Sequence, residues 1–343
     1  MGPLGRQQSL VGFVLATLLG VSGQCALASL ASPQVPEAHS PARVVTDEVG
    51  RRVAIPADVR SIVSLAPNLT ETLYALGVQD RLTGDTSYCD VPPDAKNKPH
   101  VGAPLSPSIE AIVGLRPDLV FATTTINRRE TVDALAHLGI AVYTTDPRTV
   151  RAMVDSFGRL ADLIGASRQG AQLVTKLDAR LDALHARLAD LPLVHVLFVV
   201  WLDPLITIGQ NTFIADALRW AGAESVVISH QNWPQLNFEE VVRLDPDYIV
   251  VAGNHEGEGE RTLENFRSRS GWKDLQAVQS GHVAIISEEI DRPAPELIDA
   301  IEQLAKELHP NAFSSNRLGA THRHKTQAPR NFAAETRSDE CAP

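Results

Sequence analysis

Two glutamates stand at the same point of an internal repeat. Residues 109–122 align without gaps to residues 238–251, and five positions are identical: Glu110/Glu239, Val113/Val242, Leu115/Leu244, Pro117/Pro246 and Asp118/Asp247. Each copy reads as a short helix closed by proline, followed by a buried strand. Two carboxylates held on one face by two related lobes suit a partner made of two like subunits. Each subunit can offer an arginine pocket, and bidentate pairing then fixes orientation. A local reading is equally open: a glutamate in the first turn favours the helix macrodipole. Spacing alone does not choose between them.

Catalytic spacings are missing. The sequence has no P-loop, HExxH, GxSxG elbow or GxGxxG after a strand. His255-Glu256 lacks its second histidine because residue 259 is Gly. The 11 histidines are scattered. A metal site needs three or four convergent ligands; His100, His195, His230 and His282 are the candidates, and surface or core histidines are the simpler reading. No metal and no cofactor is expected. The aromatic residues suggest binding instead. Trp233 lies between Asn232 and Pro234, in a loop that favours a surface or ligand role. Trp220 and Trp272 read as core. Indole and phenol faces cover the apolar surface of a large flat ligand and present polar tips to its edge. A small ion or a sugar needs neither.

Alternating strand and helix signals across 43–311 predict α/β architecture with parallel sheets. Ser61–Leu65 is a strand candidate, Asn68 and Glu71 have the spacing of a capping box, and Gly77 suits the helix C′ position. Strand, turn and helix recur over Leu205–Ile208, Gly209–Asn211 and Phe213–Trp220, with Gly222 as the stop. The repeated order predicts an N-terminal lobe over 43–148 and a similar C-terminal lobe over 191–311. Between them, 149–190 has apolar residues at helical spacing. Its second helix, from about Arg168 to Ala189, spans roughly 30 Å at 1.5 Å per residue. A helix that long makes a stiff connection and predicts limited lobe closure.

The ends are different. Arg6, an apolar run from Leu10 to Val21 and Ala26-Leu27-Ala28 read as a secretory signal peptide over 1–28. Gln24 stands where a lipobox before Cys25 wants a small residue, so a soluble periplasmic chain is favoured over lipid anchoring. Residues 29–42 read as a linker and 312–343 as a disordered tail. Cys89 and Cys341 would remain after cleavage, without metal spacing. The net charge of −10 argues against nucleic acid or an anionic membrane as partner.

The segment from Val44 to about Pro310 resembles the cobalamin-binding periplasmic proteins of ABC importers. The marks are Ser64-Leu65-Ala66-Pro67-Asn68-Leu69-Thr70-Glu71, Ser87-Tyr88-Cys89-Asp90-Val91-Pro92-Pro93, the two Pro-Asp strand starts, Trp233-Pro234-Gln235 and Asp291-Arg292-Pro293-Ala294-Pro295. The resemblance implies two Rossmann-like lobes joined by one long helix, with the ligand in the cleft between them. It implies a monomeric binding protein, not an enzyme, whose partners are a permease with its ATPase and a small-molecule corrinoid. Glu110 and Glu239 match the carboxylates such proteins present to the permease, which tips the balance toward docking. Tyr88 and Trp233 match aromatic ligand contacts, Arg292 a polar one, and Glu288 stands where a shorter acid is usual. Asn68, Cys89 and Trp201 complete the expected ligand set; Trp201 compensates for Pro104 and Thr123, which stand where tryptophans are usual. The helix–Pro-Asp–strand motif is shared with haem and iron–siderophore binders, the alternatives of the same class. Haem would ask for an axial ligand such as Tyr88, a ferric siderophore for several arginines. An exported hydrolase, or a scaffold of the same fold without a transporter, is the alternative of another class.

Overall fold

β-Branched and aliphatic runs build two sheets. The computed structural model describes residues 43–253 and 258–314. The expected signal peptide, the linker, Cys25, His255, Cys341 and the tail from residue 315 lie outside the described residues. The first sheet holds β1 (Ile62–Ser64), β2 (Leu82–Gly84), β3 (Leu119–Thr123) and β4 (Val142–Thr145). The second holds β5 (Val194–Val199), β6 (Ala223–Ser225), β7 (Tyr248–Ala252) and β8 (Val283–Ile286). All pairings within them are parallel, in the orders β2-β1-β3-β4 and β6-β5-β7-β8. The two lobes therefore share one topology, as the repeat predicts.

Period-2 alternation explains why both faces of each sheet are covered. In the first sheet Ile62, Leu119, Phe121 and Tyr143 enter one core, while Val63, Val120, Ala122 and Val142 enter the other. In the second sheet Val196, Phe198 and Val250 face one core and Leu197, Val199 and Ile249 the other.

The repeat is structural to its last residue. Helix α1 spans Pro67–Ala75, α2 Ile109–Leu115, α3 Arg129–His137, α4 Val150–Leu163, α5 Ser167–Leu188, α6 Phe213–Trp220 and α7 Phe238–Leu244. Ser108 caps α2 by accepting from Ala111 N, and Asn237 caps α7 by accepting from Glu240 N. Proline disfavours the helical conformation of the residue before it. Both helices accordingly stop at a left-handed residue ahead of proline, Arg116 at φ 47° and Asp245 at φ 42°. The aspartate after each proline ties the incoming strand to its neighbour. Asp118 Oδ2 accepts from the amides of Arg60 and Ser61, and Asp247 Oδ2 accepts from that of His195.

One local expectation fails. Asn68 and Glu71 do not form a capping box: α1 starts at Pro67 with Ala66 as its N-cap and no side-chain cap. Proline is preorganised for the first helical position and moves the start one residue back from Asn68. Both side chains are thereby free to face the other lobe.

Helices α4 and α5 carry the chain between lobes. The N-terminal half of α4 (Val150, Met153, Val154, Phe157) joins the core of the second lobe, and its end (Leu160, Ala161, Leu163) joins that of the first. Helix α5 is 22 residues long, about 33 Å. It returns with Leu177, Leu181, Leu184 and Leu188 in the second core. The connection is thus a helical hairpin. A Cβ on Gly170 would collide with Cβ of Ala161. Gly170→Val is expected to lower stability by about 1–3 kcal/mol through overpacking, more than the few tenths gained by removing a helical glycine. A thermal melt unchanged from the parent would contradict the close crossing.

Candidate functional site

In open α/β sheets, ligands bind beyond the carboxyl ends of the strands. The residues singled out from the sequence follow those ends. Asn68 follows β1, Tyr88 follows β2, Trp201 follows β5, Trp233 follows β6, and Glu288 and Arg292 follow β8. Among the described residues Tyr88, Trp201 and Trp233 are the exposed aromatic side chains, at 63%, 62% and 49%. Leaving such rings in water forgoes about 1.5–3 kcal/mol each, and Trp201 and Trp233 line cavities beside the strand ends. Trp220 and Trp272 pack instead against the cores of the second lobe, as expected.

A small platform holds the two tryptophans. Trp201 pairs with Ile206 in an antiparallel hairpin, and Ile206 bridges to Gln235, two residues beyond Trp233. Thr207 N donates to Pro234 O and Gly209 N to Asn232 O. Gly209 must lack a side chain, since a Cβ there would strike the Gln231 carbonyl. Trp201 Nε1 donates to Asp203 O at 2.8 Å, which steadies the indole.

Two cavities adjoin this platform. One of about 510 Å³ is lined by the β5 end with Trp201 and Asp203, the β7 end, Glu288 and Asp291. Another, of about 270 Å³, lies between the lobes, with Thr124, Asp146 and Arg148 on one side and Asn211, Phe213 and Trp233 on the other.

The polar inventory of the crevice is acidic. Arg148 is paired with Asp146 at 3.0 Å. Arg292 Nη1 meets Glu71 Oε1 of the opposite lobe at 3.1 Å, beside a 3.5 Å contact from Asn68 Nδ2 to Pro293 O. Glu71 is 2% exposed, and its Oε2 has no hydrogen-bond partner. Burial pushes its carboxyl up to about 8, against the pull of Arg292 and with the help of Glu296, Glu289 and Asp90. Burial, reinforced by Glu288 and opposed by Arg292, raises Asp291 to about 6. Asp291 carries no spacing signal, and the spacing of Glu71 from Asn68 suggests only a cap. The pairing of Glu71 with Arg292 joins residues 221 apart in the chain.

The structure withdraws Cys89 from the crevice. It is 1% exposed, its Sγ lies 3.2 Å from the hydroxyls of both Thr70 and Thr86, and burial pushes the thiol up. The four histidines do not gather either. His100 is held by Asp85 in the first lobe, while His195 and His282 flank Asp247 at the amino ends of the second sheet. Among the described residues no group of three or more His, Cys, Asp or Glu could hold a metal ion.

Glu110 and Glu239 are exposed in the first turns of α2 and α7. Burial runs identically through the two helices, residue by residue. In α7 the capping box is closed by Glu240, so the cap does not need Glu239. Ser108 Oγ donates to Glu110 Oε2 at 3.1 Å.

A family model described as periplasmic binding protein matches residues 62–290. An ABC transporter substrate-binding lipoprotein of Bacillus subtilis is 28% identical over 278 residues, covering 78% of this chain and 86% of that protein. The vitamin B12-binding protein of Vibrio cholerae is 27% identical over 259 residues, covering 75% and 91%. A crystal structure of the V. cholerae periplasmic vitamin B12 binding protein superposes with a TM-score of 0.66 at 26% identity, covering 75% and 98%. A molybdate periplasmic binding protein of Haemophilus influenzae superposes with a TM-score of 0.69 at 21% identity, covering 80% and 94%. The last likeness concerns the fold.

Proposed function

The chain belongs to the periplasmic binding protein family, and on that premise we propose that it captures cobalamin or a related corrinoid between its lobes and delivers it to an ABC importer. The observation that carries the ligand is the set of exposed aromatic rings beyond the strand ends, Tyr88, Trp201 and Trp233. A corrinoid offers a broad apolar ring to indole and phenol faces. Its rim of amides can donate to the carboxylates of Asp203, Glu288 and Asp291. Molybdate, haem propionates and ferric siderophores are anions. They would meet those carboxylates with Arg148 already engaged by Asp146, and a charge left without pairing on burial is costly.

Delivery rests on Glu110 and Glu239, one on each lobe and both exposed. Export to the periplasm rests on the apolar run from Leu10 to Val21 and the small residues at Ala26-Leu27-Ala28.

The visible spectrum of whatever copurifies with the protein tests the ligand. A corrin spectrum is expected; a Soret band would replace the corrinoid with haem. Trp201→Ala and Trp233→Ala are each expected to weaken cyanocobalamin binding tenfold or more, from roughly 1.5 kcal/mol of lost ring burial. Unchanged affinity in either variant would take that ring out of the site.

A further inference from the structure

We propose that the transporter-facing surface is a duplicated carboxylate–valine pair, in which Val113 and Val242 are apolar anchors beside Glu110 and Glu239. This rests on the docking reading above and adds residues to it. Val113 is 42% exposed and Val242 52%. A single exposed valine needs no explanation. Two at the same position of a structural repeat do.

The repeat separates what the fold requires from what it does not. Pro117/Pro246 and Asp118/Asp247 are identical because they end the helix and fasten the strand. Leu115 and Leu244 are half-buried against the cores. The fully buried position differs, Ile112 in α2 against Val241 in α7. The other exposed positions also differ: Gly114 against Arg243, and Arg116 against Asp245. Only glutamate and valine are both exposed and identical. Valine at a half-exposed helical position gains little from packing, and its branched Cβ makes it a poorer helix former than Ala, Lys or Glu. The fold therefore offers little reason for it.

Glu110 and Val113 are three residues apart, as are Glu239 and Val242. That spacing puts each pair on one helical stripe, with Cβ atoms about 5–6 Å apart. Each lobe thus presents a charge beside a small apolar knob, in the same order and with the same burial around it. A face duplicated this way fits a partner that is itself duplicated, a permease of two like subunits. The carboxylate orients by pairing with a cation. The knob displaces water at the contact, where a desolvated apolar centre holds more of the binding energy than a rim charge.

The test uses the full mature chain and the permease–ATPase complex in lipid nanodiscs, with docking read by surface binding. Val113→Asp/Val242→Asp is expected to weaken docking at least tenfold. Its thermal melt and cyanocobalamin titration should match the parent. Should the aspartates disturb folding, Val113→Ser/Val242→Ser gives the same readout. Docking unchanged in folded variants would overturn the proposal. If Glu110→Arg/Glu239→Arg abolishes docking while the valine variants do not, the anchors fall and the glutamate reading stands. If neither pair of changes affects docking, both fall. A concentration-dependent dimer in sedimentation that the valine changes dissolve would assign the face to a second copy of this chain and also overturn the proposal.

Discussion

Reversing Glu110 and Glu239 to arginine is expected to abolish uptake while ligand affinity stays at the parental value. The two carboxylates sit on α2 and α7, and neither lines the two cavities beside the tryptophan platform. Neither lies within a core, and α7 keeps its Asn237–Glu240 capping box without Glu239. The fold should therefore tolerate both changes. Loss of a first-turn charge costs about 0.3–1 kcal/mol. At a docking face the reversal also sets like charges against each other, which costs several kcal/mol. Uptake in whole cells, beside calorimetry on the purified variant, separates the effects. Parental uptake would contradict the docking assignment, and lost ligand affinity would show that the helices act on the crevice.

The second large effect concerns the tie between lobes. Glu71 is held up to about 8 by burial, against an ordinary value of 4.5. The folded protein therefore binds this proton more tightly than the unfolded chain does. The stability it contributes is complete below about pH 4.5 and is lost as pH rises through about 8. The tighter proton binding on folding makes stability depend on pH through this one carboxyl. Asp291, raised from 3.8 to about 6, acts in the same direction over a lower window. Glu71→Gln keeps the shape and removes the titration. Between pH 5 and 8.5 the parent should lose stability to urea and the variant much less. Arg292→Met should be mild at pH 5, where Glu71 is neutral, and costlier at pH 8.5, where the parent's carboxylate loses its partner and Glu71 must hold its proton instead. Parallel profiles for parent and Glu71→Gln would contradict the buried, proton-holding carboxyl.

Such a tie also qualifies the role of Arg292. The sequence resemblance places it against the ligand, and the geometry gives its guanidinium to Glu71. The contact it makes ties the two lobes, and that pairing is not visible in a linear reading.

Legibility follows the range of the interactions. The repeat, the parallel strands and the helix ends at Gly77 and Gly222 depend on periodicity and on residues near in sequence, and they can be read directly. Trp220 follows from the amphipathic spacing of its helix. The capping box expected at Asn68 fails because Pro67 claims the first helical position. Cys89 enters the expected ligand set beside its neighbour Tyr88, but the turn closed by Cys89 N donating to Thr86 O buries the thiol against Thr70 and Thr86 while Tyr88 stays exposed. The pairing of Glu71 with Arg292 and of Arg148 with Asp146 decides the charge of the crevice. The first joins elements far apart in sequence, and only the folded chain brings them together.

Calorimetric titration of the purified mature protein with cyanocobalamin tests the central claim most directly. Saturable heat at about one ligand per chain, weakened in Trp201→Ala and Trp233→Ala, is the predicted result. No heat with cyanocobalamin, together with saturable binding of haemin, molybdate or a ferric siderophore, would contradict it.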